Sequence, residues 1–353
     1  MLNFFDKRIA FPLQSGHPIG MKDIAALNAI LAKYKEPSMV RSLWQLANTA
    51  LPFFAVTVLM HLAHHHNHGW LAFALAFPAA GLLGRLFIIQ HDCGHGSFFK
   101  STRANDMLGA VLGVLTLTPY SYWKQTHAMH HATSGNLDKR GYGDINTLTV
   151  AEFEALSAWG QWKYRVYRSF PILFIIGPSF HFGVYHRLPT IVPPEWKAER
   201  QSILLTDLVL ATILAVAAYT VGLWHFLLVQ IPVNLIAATA GVWFFYVQHQ
   251  FEDTYWSRDD KWKLDQASLI GSSYYELPWV LQWITGNIGF HHIHHLNSRI
   301  PNYKLQKAMD ENPVFQNVTK VTLLNALKCA SLTLWDEKKE KLVPFDAGVT
   351  ADV

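Results

Sequence analysis

The chain has 353 residues, of which 51% are hydrophobic, 14% are aromatic and only 15% are charged. Soluble domains carry about 25% charged residues, so this composition favours a protein embedded in a bilayer. The net charge of +4 is modest, and no nucleic-acid partner is expected. Two cysteines without a Cys-x-x-Cys pair argue against a disulfide framework or a thiolate zinc site.

The N-terminal segment mixes charged residues with short apolar stretches. It lacks the positively charged start and apolar core that mark a secretory signal peptide. Residues 1–41 are therefore interpreted as a retained, cytosolic N-terminal arm.

Four apolar runs are long enough to cross a bilayer, for which a helix needs about 20 residues. The second run contains Arg85 near its end, where the side chain is expected to reach the interface. The four spans form two hairpins within a membrane domain that covers residues 42–303. The predicted spans are residues 42–62, 70–90, 204–222 and 225–247.

Two further apolar stretches, 107–123 and 169–185, are short and interrupted by proline or glycine. They are interpreted as interfacial or re-entrant rather than spanning. If the first of them crossed the bilayer, the first two histidine clusters described below would face opposite sides of the membrane.

The predicted outer loops, 63–69 and 220–224, contain no lysine or arginine. The positive-inside rule then places residues 91–207 and 252–353 in the cytosol with the N-terminus. Residues 304–353 mix charged and apolar positions in the manner of amphipathic helices, so they are predicted to form a cytosolic helical cap.

Histidine is the unusual residue of this chain, with 19 copies, most of them clustered. Roughly 0.05 copies of His-x-x-His-His are expected by chance at this histidine content, and three occur, one of which begins at His61 beside the first predicted outer loop. Within each of three clusters the spacing places the histidines on one helical face, so each cluster could direct its imidazoles at one point. The clusters are His91 and His95; His127, His130 and His131; and His291, His294 and His295.

A further histidine, His249, lies where the fourth span should reach the same side of the membrane. Together with the three clusters it provides nine imidazoles, which suit two first-row metal ions with four or five protein ligands each. No glutamate has a histidine three residues later, so the Glu-x-x-His pairs of soluble di-iron bundles are absent from the sequence. Ligand histidines also need hydrogen-bond acceptors, and the nearby candidates are Asp92, Asp138, Asp144, Glu252 and Asp253.

Other histidines are interpreted as residues that bind no metal. One group lies in or beside the first outer loop, across the bilayer from the clusters, and a second lies in an interfacial aromatic stretch. His292 occupies the variable position of the third cluster and is expected to point away. The first two groups are His61, His64, His65, His66 and His68, and His181 with His186.

The clusters and their neighbouring residues resemble the three histidine boxes of the membrane fatty-acid desaturase family. The first reads His-Asp-Cys-Gly-His-Gly-Ser-Phe-Phe over residues 91–99, and the third lies in Gly-Phe-His-His-Ile-His-His-Leu over residues 289–296. The second box continues as Ala-Thr-Ser-Gly-Asn-Leu over residues 132–137. A first box with three residues between its histidines is typical of the delta-12 (omega-6) and omega-3 acyl-lipid branch. The resemblance covers about residues 70–303.

The resemblance implies an all-α integral membrane protein with a cytosolic cap that holds a non-haem di-iron centre. Two Fe ions would be bound by the eight box histidines and His249. The delta-9 branch has an asparagine four residues before the latter histidine, where this chain has Phe245. The implied reaction uses O2 and two electrons to introduce a cis double bond into a fatty-acyl chain, and the expected position is delta-12 on an acyl lipid.

No flavin, haem or iron–sulfur motif occurs in the sequence. The electrons are therefore expected from an external ferredoxin or cytochrome b5-like donor. Lys163, Arg165 and Arg168 form a candidate basic patch for this donor, and lipid headgroups are an equal alternative. The expected location is a bacterial inner membrane, with the active site on the cytosolic face. Candidate walls of an acyl tunnel are Tyr122, Trp123, Phe244, Phe245, Tyr274, Tyr275, Trp279 and Trp283.

Alternative functions remain open at this point. A hydroxylase, an acetylenase or a carotenoid ketolase would use the same scaffold and differ in its product. A metal transporter would place its ligands at mid-bilayer, inside the spans. A non-enzymatic membrane scaffold would leave nine co-located histidines without a role.

Overall fold

Helices dominate the fold of the described residues, which in this computed structural model are 21–141 and 143–348. The first half of the predicted N-terminal arm lies outside them. The α-helices are α1 (Met21–Leu31), α2 (Met39–His65), α3 (Gly69–Gly94), α4 (Thr102–Leu115), α5 (Tyr120–Thr133), α6 (Val150–Glu154), α7 (Ala158–Tyr167), α8 (Gly177–Gly183), α9 (Lys197–Thr220), α10 (Leu223–His249), α11 (Leu264–Leu269), α12 (Trp279–Ile284), α13 (His291–Leu296), α14 (Asn302–Glu311) and α15 (Leu323–Cys329). The strands are β1 (Leu148–Thr149), β2 (Tyr274–Glu276), β3 (Lys320–Thr322), β4 (Leu334–Asp336) and β5 (Lys341–Val343).

Among the described residues, four helices are long and apolar enough to cross a membrane, namely α2, α3, α9 and α10. They form two hairpins with short connections, which confirms the predicted fold class. Their ends differ from the predicted bounds by a few residues. Helix α9, for example, already begins at Lys197, because its first turn carries charged residues that a search for apolar runs excludes.

The two apolar stretches predicted as non-spanning are broken in the structure. A turn at Pro119 separates α4 from α5 within the first stretch. The second stretch consists of a π-helical segment, Ile172–Ile176, and the short α8. Arg187 follows α8 and donates hydrogen bonds to Asp207 on α9 (3.0 Å) and to the Leu117 carbonyl (2.7 Å). This connection holds the segment against the second hairpin.

The packing of α4 on α5 depends on the small side chain at Gly109. A Cβ atom there would overlap the ring of Tyr120, whose hydroxyl donates a hydrogen bond to Asp106. We expect Gly109→Ala to destabilise the protein by about 1–3 kcal/mol through overpacking, measured as a lower melting temperature in detergent. Gly241→Ala is the matched control, because a Cβ there meets no atom within 4 Å. Equal melting temperatures would show that Tyr120 moves aside without cost.

The cap contains strands as well as the predicted helices. One sheet has the order β1-β4-β5, and β2 pairs with β3 in parallel. Residues 304–353 therefore contribute α15 and three strands in addition to most of α14. Strands of three residues are too short to produce a detectable alternation of polar and apolar residues.

Helix α1 packs its Leu27 and Leu31 into the same apolar cluster as Ile293 and Leu305, so the N-terminal segment belongs to the cap.

Arg85 is buried in α3 instead of extending toward an exposed surface, contrary to the prediction. Its guanidinium group lies 4.1 Å from the centre of the Trp283 ring. It also donates hydrogen bonds to the Thr49 hydroxyl (3.1 Å) and to the carbonyl of Trp283. Snorkelling is unnecessary because the neighbouring α12 provides a π face and an acceptor at the same depth.

Candidate metal centre

The nine candidate histidines lie on four helices that end close to one another. Helix α3 carries His91 and ends immediately before His95, while α10 ends at His249. The second cluster lies on the last two turns of α5, and the third forms most of α13. Because the clusters occupy helix ends, their imidazoles meet at one end of the two hairpins.

The imidazoles form two separate groups, and within each group the ligand atoms lie within 4.8 Å of one another. The prediction that each cluster directs its histidines at one point is wrong for the second and third clusters. Each of these contains two adjacent histidines, which point about 100° apart around a helix and therefore enter different groups. The first group is His91, His95, His127, His131 and His294, and the second is His130, His249, His291 and His295.

The distances within each group are those of ligands around a common ion. Imidazole nitrogens bind such ions at about 2.0–2.1 Å, so two ligands at roughly a right angle lie about 3 Å apart. The observed Nε2–Nε2 distances are 3.0 Å for His95–His127, 3.2 Å for His127–His131 and 3.1 Å for His131–His294 in the first group, and 3.2 Å for His130–His249 and 2.9 Å for His249–His291 in the second.

The surroundings favour the neutral imidazole that metal binding requires at three histidines outside the membrane spans. Burial, reinforced by the neighbouring imidazoles, lowers the pKa of His127, His131 and His294 well below the ordinary histidine value. In the second group, His295 Nε2 is buried without a hydrogen-bond partner among the described residues. A neutral, unpartnered nitrogen beside three others is suited to a metal ion, so the donor set fits two first-row transition metals.

Two acceptors fix the orientation of histidines in the second group. Asp144 Oδ1 lies 2.6 Å from His130 Nδ1, and the Gly271 carbonyl lies 3.0 Å from His249 Nδ1. Both contacts favour a proton on Nδ1 and leave Nε2 free to bind a metal. The Gly271 acceptor could not be predicted, because a backbone carbonyl carries no signal in the residue type.

Asp92 is the other predicted acidic residue near a candidate ligand. Its Oδ1 lies 3.5 Å from His91 Nδ1. Its Oδ2 accepts hydrogen bonds from the backbone (2.7 Å) and side-chain (2.8 Å) nitrogens of Asn302. This contact connects the first cluster to the start of α14.

The prediction of an acceptor role is wrong for the remaining three acidic residues. Asp138 pairs with Arg258 at 2.8 Å, and Glu252 and Asp253 both pair with Lys341. All three are exposed. Closeness to a histidine in sequence does not determine on which side of the turn a carboxylate lies.

Two aromatic side chains border the groups. The Trp123 ring stacks on His127 at 4.6 Å, in the first group. Phe245 lies 5.0 Å from the His130 ring and 5.1 Å from the His249 ring. The second group therefore has a hydrocarbon neighbour at the position where the delta-9 branch has an asparagine.

Other predicted tunnel residues lie elsewhere. Trp279 is 80% exposed and Tyr274 stacks on Phe290, so neither borders the histidine groups. Trp283 covers Arg85, and Tyr122 contacts the buried His186. The acyl tunnel itself stays a prediction.

The histidines interpreted as non-ligands belong to neither group. His292 Nε2 lies 3.1 Å from the Phe315 carbonyl, which confirms that it points away. His64 packs against His225 at the ends of α2 and α10 that lie away from the histidine groups. His181 packs against His186.

Arg168 is buried, so the prediction that it belongs to an exposed basic patch is wrong. Its guanidinium group donates hydrogen bonds to the Tyr246 hydroxyl (2.8 Å), the Leu332 carbonyl (2.9 Å) and the Asn146 carbonyl (3.2 Å). Lys163 and Arg165 are exposed on the same helix. Arg168 faces inward because it directly follows α7, where the chain turns against α10.

Arg168 connects the loop that follows Asp144 to the end of α10 that carries His249. We expect Arg168→Met to lower metal occupancy of the second group, because the Tyr246 hydroxyl and two carbonyls lose their shared donor. Contacts made directly to a ligand are worth about 10–100-fold in metal affinity, and Arg168 acts one residue further from the ligands, so we expect a loss of no more than about 10-fold. Metal per chain, measured by mass spectrometry after dialysis, tests this, with the exposed Lys163→Met as control. Unchanged metal content beside a lower melting temperature would limit Arg168 to a role in folding.

Fold and site together define an integral membrane protein with two histidine groups that could each hold a metal ion. Comparison with known proteins adds the family. The fatty acid desaturase family model matches residues 68–317, and a protein named fatty acid desaturase from Bacillus subtilis (strain 168) is 45% identical over 90% of this chain and 89% of its own length. The chain therefore belongs to the fatty acid desaturase family and is an oxidoreductase.

More distant relatives carry more specific names. An endoplasmic-reticulum omega-3 fatty acid desaturase from Vigna radiata var. radiata is 28% identical over 81% of this chain and 75% of its own length. An sn-1 oleoyl-lipid 12-desaturase from Anabaena variabilis is 26% identical, with 67% of each chain covered. These relatives differ in the position that they desaturate, so their names do not give the position for this chain.

Proposed function

We propose that this protein is a di-iron acyl-lipid desaturase that introduces a cis double bond into a fatty-acyl chain. The proposed position of the double bond is delta-12. The observation that carries this proposal is the convergence of nine imidazoles into groups of five and four at one end of the membrane helices. Iron is the proposed metal, because imidazole donors suit it and the family is one of di-iron oxidoreductases.

Bound iron would supply an oxidant strong enough to remove hydrogen from an unactivated CH2–CH2 unit. The protein's own residues bind the two ions, fix the imidazole tautomers and place the acyl chain. Trp123 and Phe245 provide apolar surface beside the two groups and keep water from the reacting methylenes. Positioning decides which methylene pair reacts, because methylenes differ too little to be distinguished chemically.

An external donor is the proposed source of electrons. One relative, an sn-1 acyl-lipid omega-3 desaturase (ferredoxin) from a Synechocystis strain, is 28% identical over 86% of this chain. It supports a ferredoxin as donor and an acyl lipid as substrate, and a cytochrome b5-like protein is the alternative donor.

The proposed location is a bacterial inner membrane with the centre on the cytosolic side. The basic residues support this orientation, because the connections at the opposite ends of the hairpins contain no lysine or arginine. A metal transporter is a poorer fit, because the histidine groups lie at helix ends instead of at mid-bilayer.

Fatty-acid analysis of a bacterial host that lacks polyunsaturated fatty acids tests the proposal. The chain and its His130→Ala variant are expressed in parallel, and total fatty-acid methyl esters are separated by gas chromatography and identified by mass spectrometry. We expect a new diene or a shifted monoene that is absent with the variant. The mass spectrum gives the position of the double bond and so tests delta-12.

Hydroxy or keto products would overturn desaturation while retaining the metal centre. An unchanged fatty-acid profile would also contradict the proposal if the protein is present, loaded with iron and supplied with a working donor. In that case, carotenoid analysis of the same cells would test a ketolase.

A further inference from the structure

We infer that α12 and α15, both predicted above to lie in the cytosol, contact the lipid leaflet on the histidine side of the membrane, α12 as a re-entrant helix and α15 as an interfacial helix, with acyl chains as their partner. Both helices belong to the C-terminal third of the chain, after the fourth span. The inference does not depend on the chemistry of the metal centre.

Large apolar side chains are exposed on both helices. Trp279 of α12 is 80% exposed, and Leu324 of α15 is also 80% exposed. Val280 and Trp283 are also exposed on α12, and Leu323 and Leu327 are also exposed on α15. Within residues 21–141 and 143–348, no side chain covers these surfaces. Apolar patches of this kind mark contact with lipid or protein, because exposure to water is unfavourable.

The depth of α12 distinguishes lipid from a soluble partner. Ile284 lies 3.2 Å from the position that a Cβ of Gly81 would take on α3. Gly81 precedes His91 by roughly 15 Å along the axis of the same helix, at about 1.5 Å per residue. The hydrocarbon core of a bilayer is about 30 Å thick. Helix α12 therefore lies beside the membrane-embedded part of α3, at the level of acyl chains.

The segment that follows α12 also lies close to α3. Gly286 has a φ of +55°, and a Cβ there would lie 2.8 Å from Ile88 Cγ2. A positive φ at a glycine allows the sharp reversal that a re-entrant segment needs. Residues 278–288 thus enter the leaflet and leave it beside one helix.

Arg85 holds α12 at this depth. The arginine has no carboxylate partner among the described residues, and Trp283 supplies both a π face and a carbonyl acceptor. Buried cations in membrane spans are costly and are retained where they have a specific partner. Here that partner is the re-entrant helix.

Helix α15 lies at the boundary of the same leaflet. Its Ala326 and Cys329 pack in one cluster with Tyr246 and Val247, on the last turn of α10. Its leucines point away from this cluster, and the exposed Lys320 and Lys328 flank them. Leucines toward acyl chains with lysines at the edge are the pattern of an interfacial helix.

Lipid contact would position part of the metal centre. Residues 285–290 connect α12 directly to His291, and Tyr274 forms a bridge with Phe290 at this connection. A re-entrant helix anchored in acyl chains therefore places the third histidine cluster at the membrane boundary.

Fluorescence quenching in reconstituted vesicles tests the inference. A bimane label is attached to Val280→Cys and, separately, to Leu324→Cys in the full chain, and both native cysteines are buried. Acyl-brominated phosphatidylcholine reports on lipid contact and aqueous iodide reports on water. Phe77→Cys, on the exposed face of α3, is the reference for lipid, and Lys338→Cys, in the turn between β4 and β5, is the reference for water.

We expect labels at 280 and 324 to be quenched by the brominated lipid to an extent comparable with position 77, and to be protected from iodide. The label at 338 should show the reverse. Quenching by iodide alone at 280 or 324 would overturn the inference for that helix. Protection from both quenchers would also overturn it, since a protein surface would then cover the helix. Neither result bears on the proposed desaturation, which is measured by its products.

Discussion

Alanine at His249 should abolish fatty-acid desaturation as completely as alanine at a histidine of the three boxes. The second group has four imidazoles, and His249 Nε2 lies 2.9 Å from His291 and 3.2 Å from His130. Its loss leaves three ligands and a gap beside Phe245, which has no donor atom. We expect no detectable new fatty acid and about one iron ion per purified chain instead of two, since the first group shares no ligand with the second.

The matched control is His65→Ala, because His65 is an exposed histidine at the far end of α2. Its product yield and iron content should equal those of the parent protein. Two iron ions per chain with normal product in His249→Ala would remove this residue from the centre. A variant that fails to fold is recognised by its melting temperature, and His249→Asn then provides a smaller change at the same position.

Asp144→Asn should reduce activity or iron affinity by about 10–100-fold without removing a ligand. The Asp144 carboxylate lies 2.6 Å from His130 Nδ1 and fixes the tautomer in which Nε2 is free. An asparagine can present its NH2 group to that nitrogen, which favours the opposite tautomer, with the proton on Nε2. Product yield and iron retention against a chelator measure the effect.

Asp138→Asn is the control for this change, since Asp138 is an exposed acid on the same connection and pairs with Arg258. Its activity should stay close to that of the parent protein. If Asp144→Asn retains full activity and iron, the 2.6 Å contact contributes nothing to the centre. If both variants lose activity equally, the loop requires its negative charge, and the tautomer of His130 is not the cause.

The two groups would offer different environments to a metal ion. In the first, His95, His127 and His131 are half-buried, whereas all four histidines of the second are buried. The second group also has fewer nitrogens and an apolar neighbour in Phe245. This asymmetry follows from packing, because α5, α10 and α13 enclose the second group.

Much of this protein can be predicted from local sequence. The four spans follow from composition alone, because a run of about 20 apolar residues is itself the property that partitions a helix into a bilayer. The family resemblance likewise rests on short, contiguous motifs around His91, His130 and His294. His249 could be predicted only from its place at the end of the fourth span.

Tertiary structure decided the properties that depend on segments distant in the chain. Adjacent histidines such as His130 and His131 point in different directions around a helix, but only the packing of α10 and α13 against α5 decides which group each of them joins. The same holds for Arg85 and Arg168, whose charges suggested exposure and whose partners, Trp283 and Tyr246, come from other helices. Hydropathy and periodicity describe one segment at a time, whereas the direction of a side chain in a packed protein is set by what lies against it.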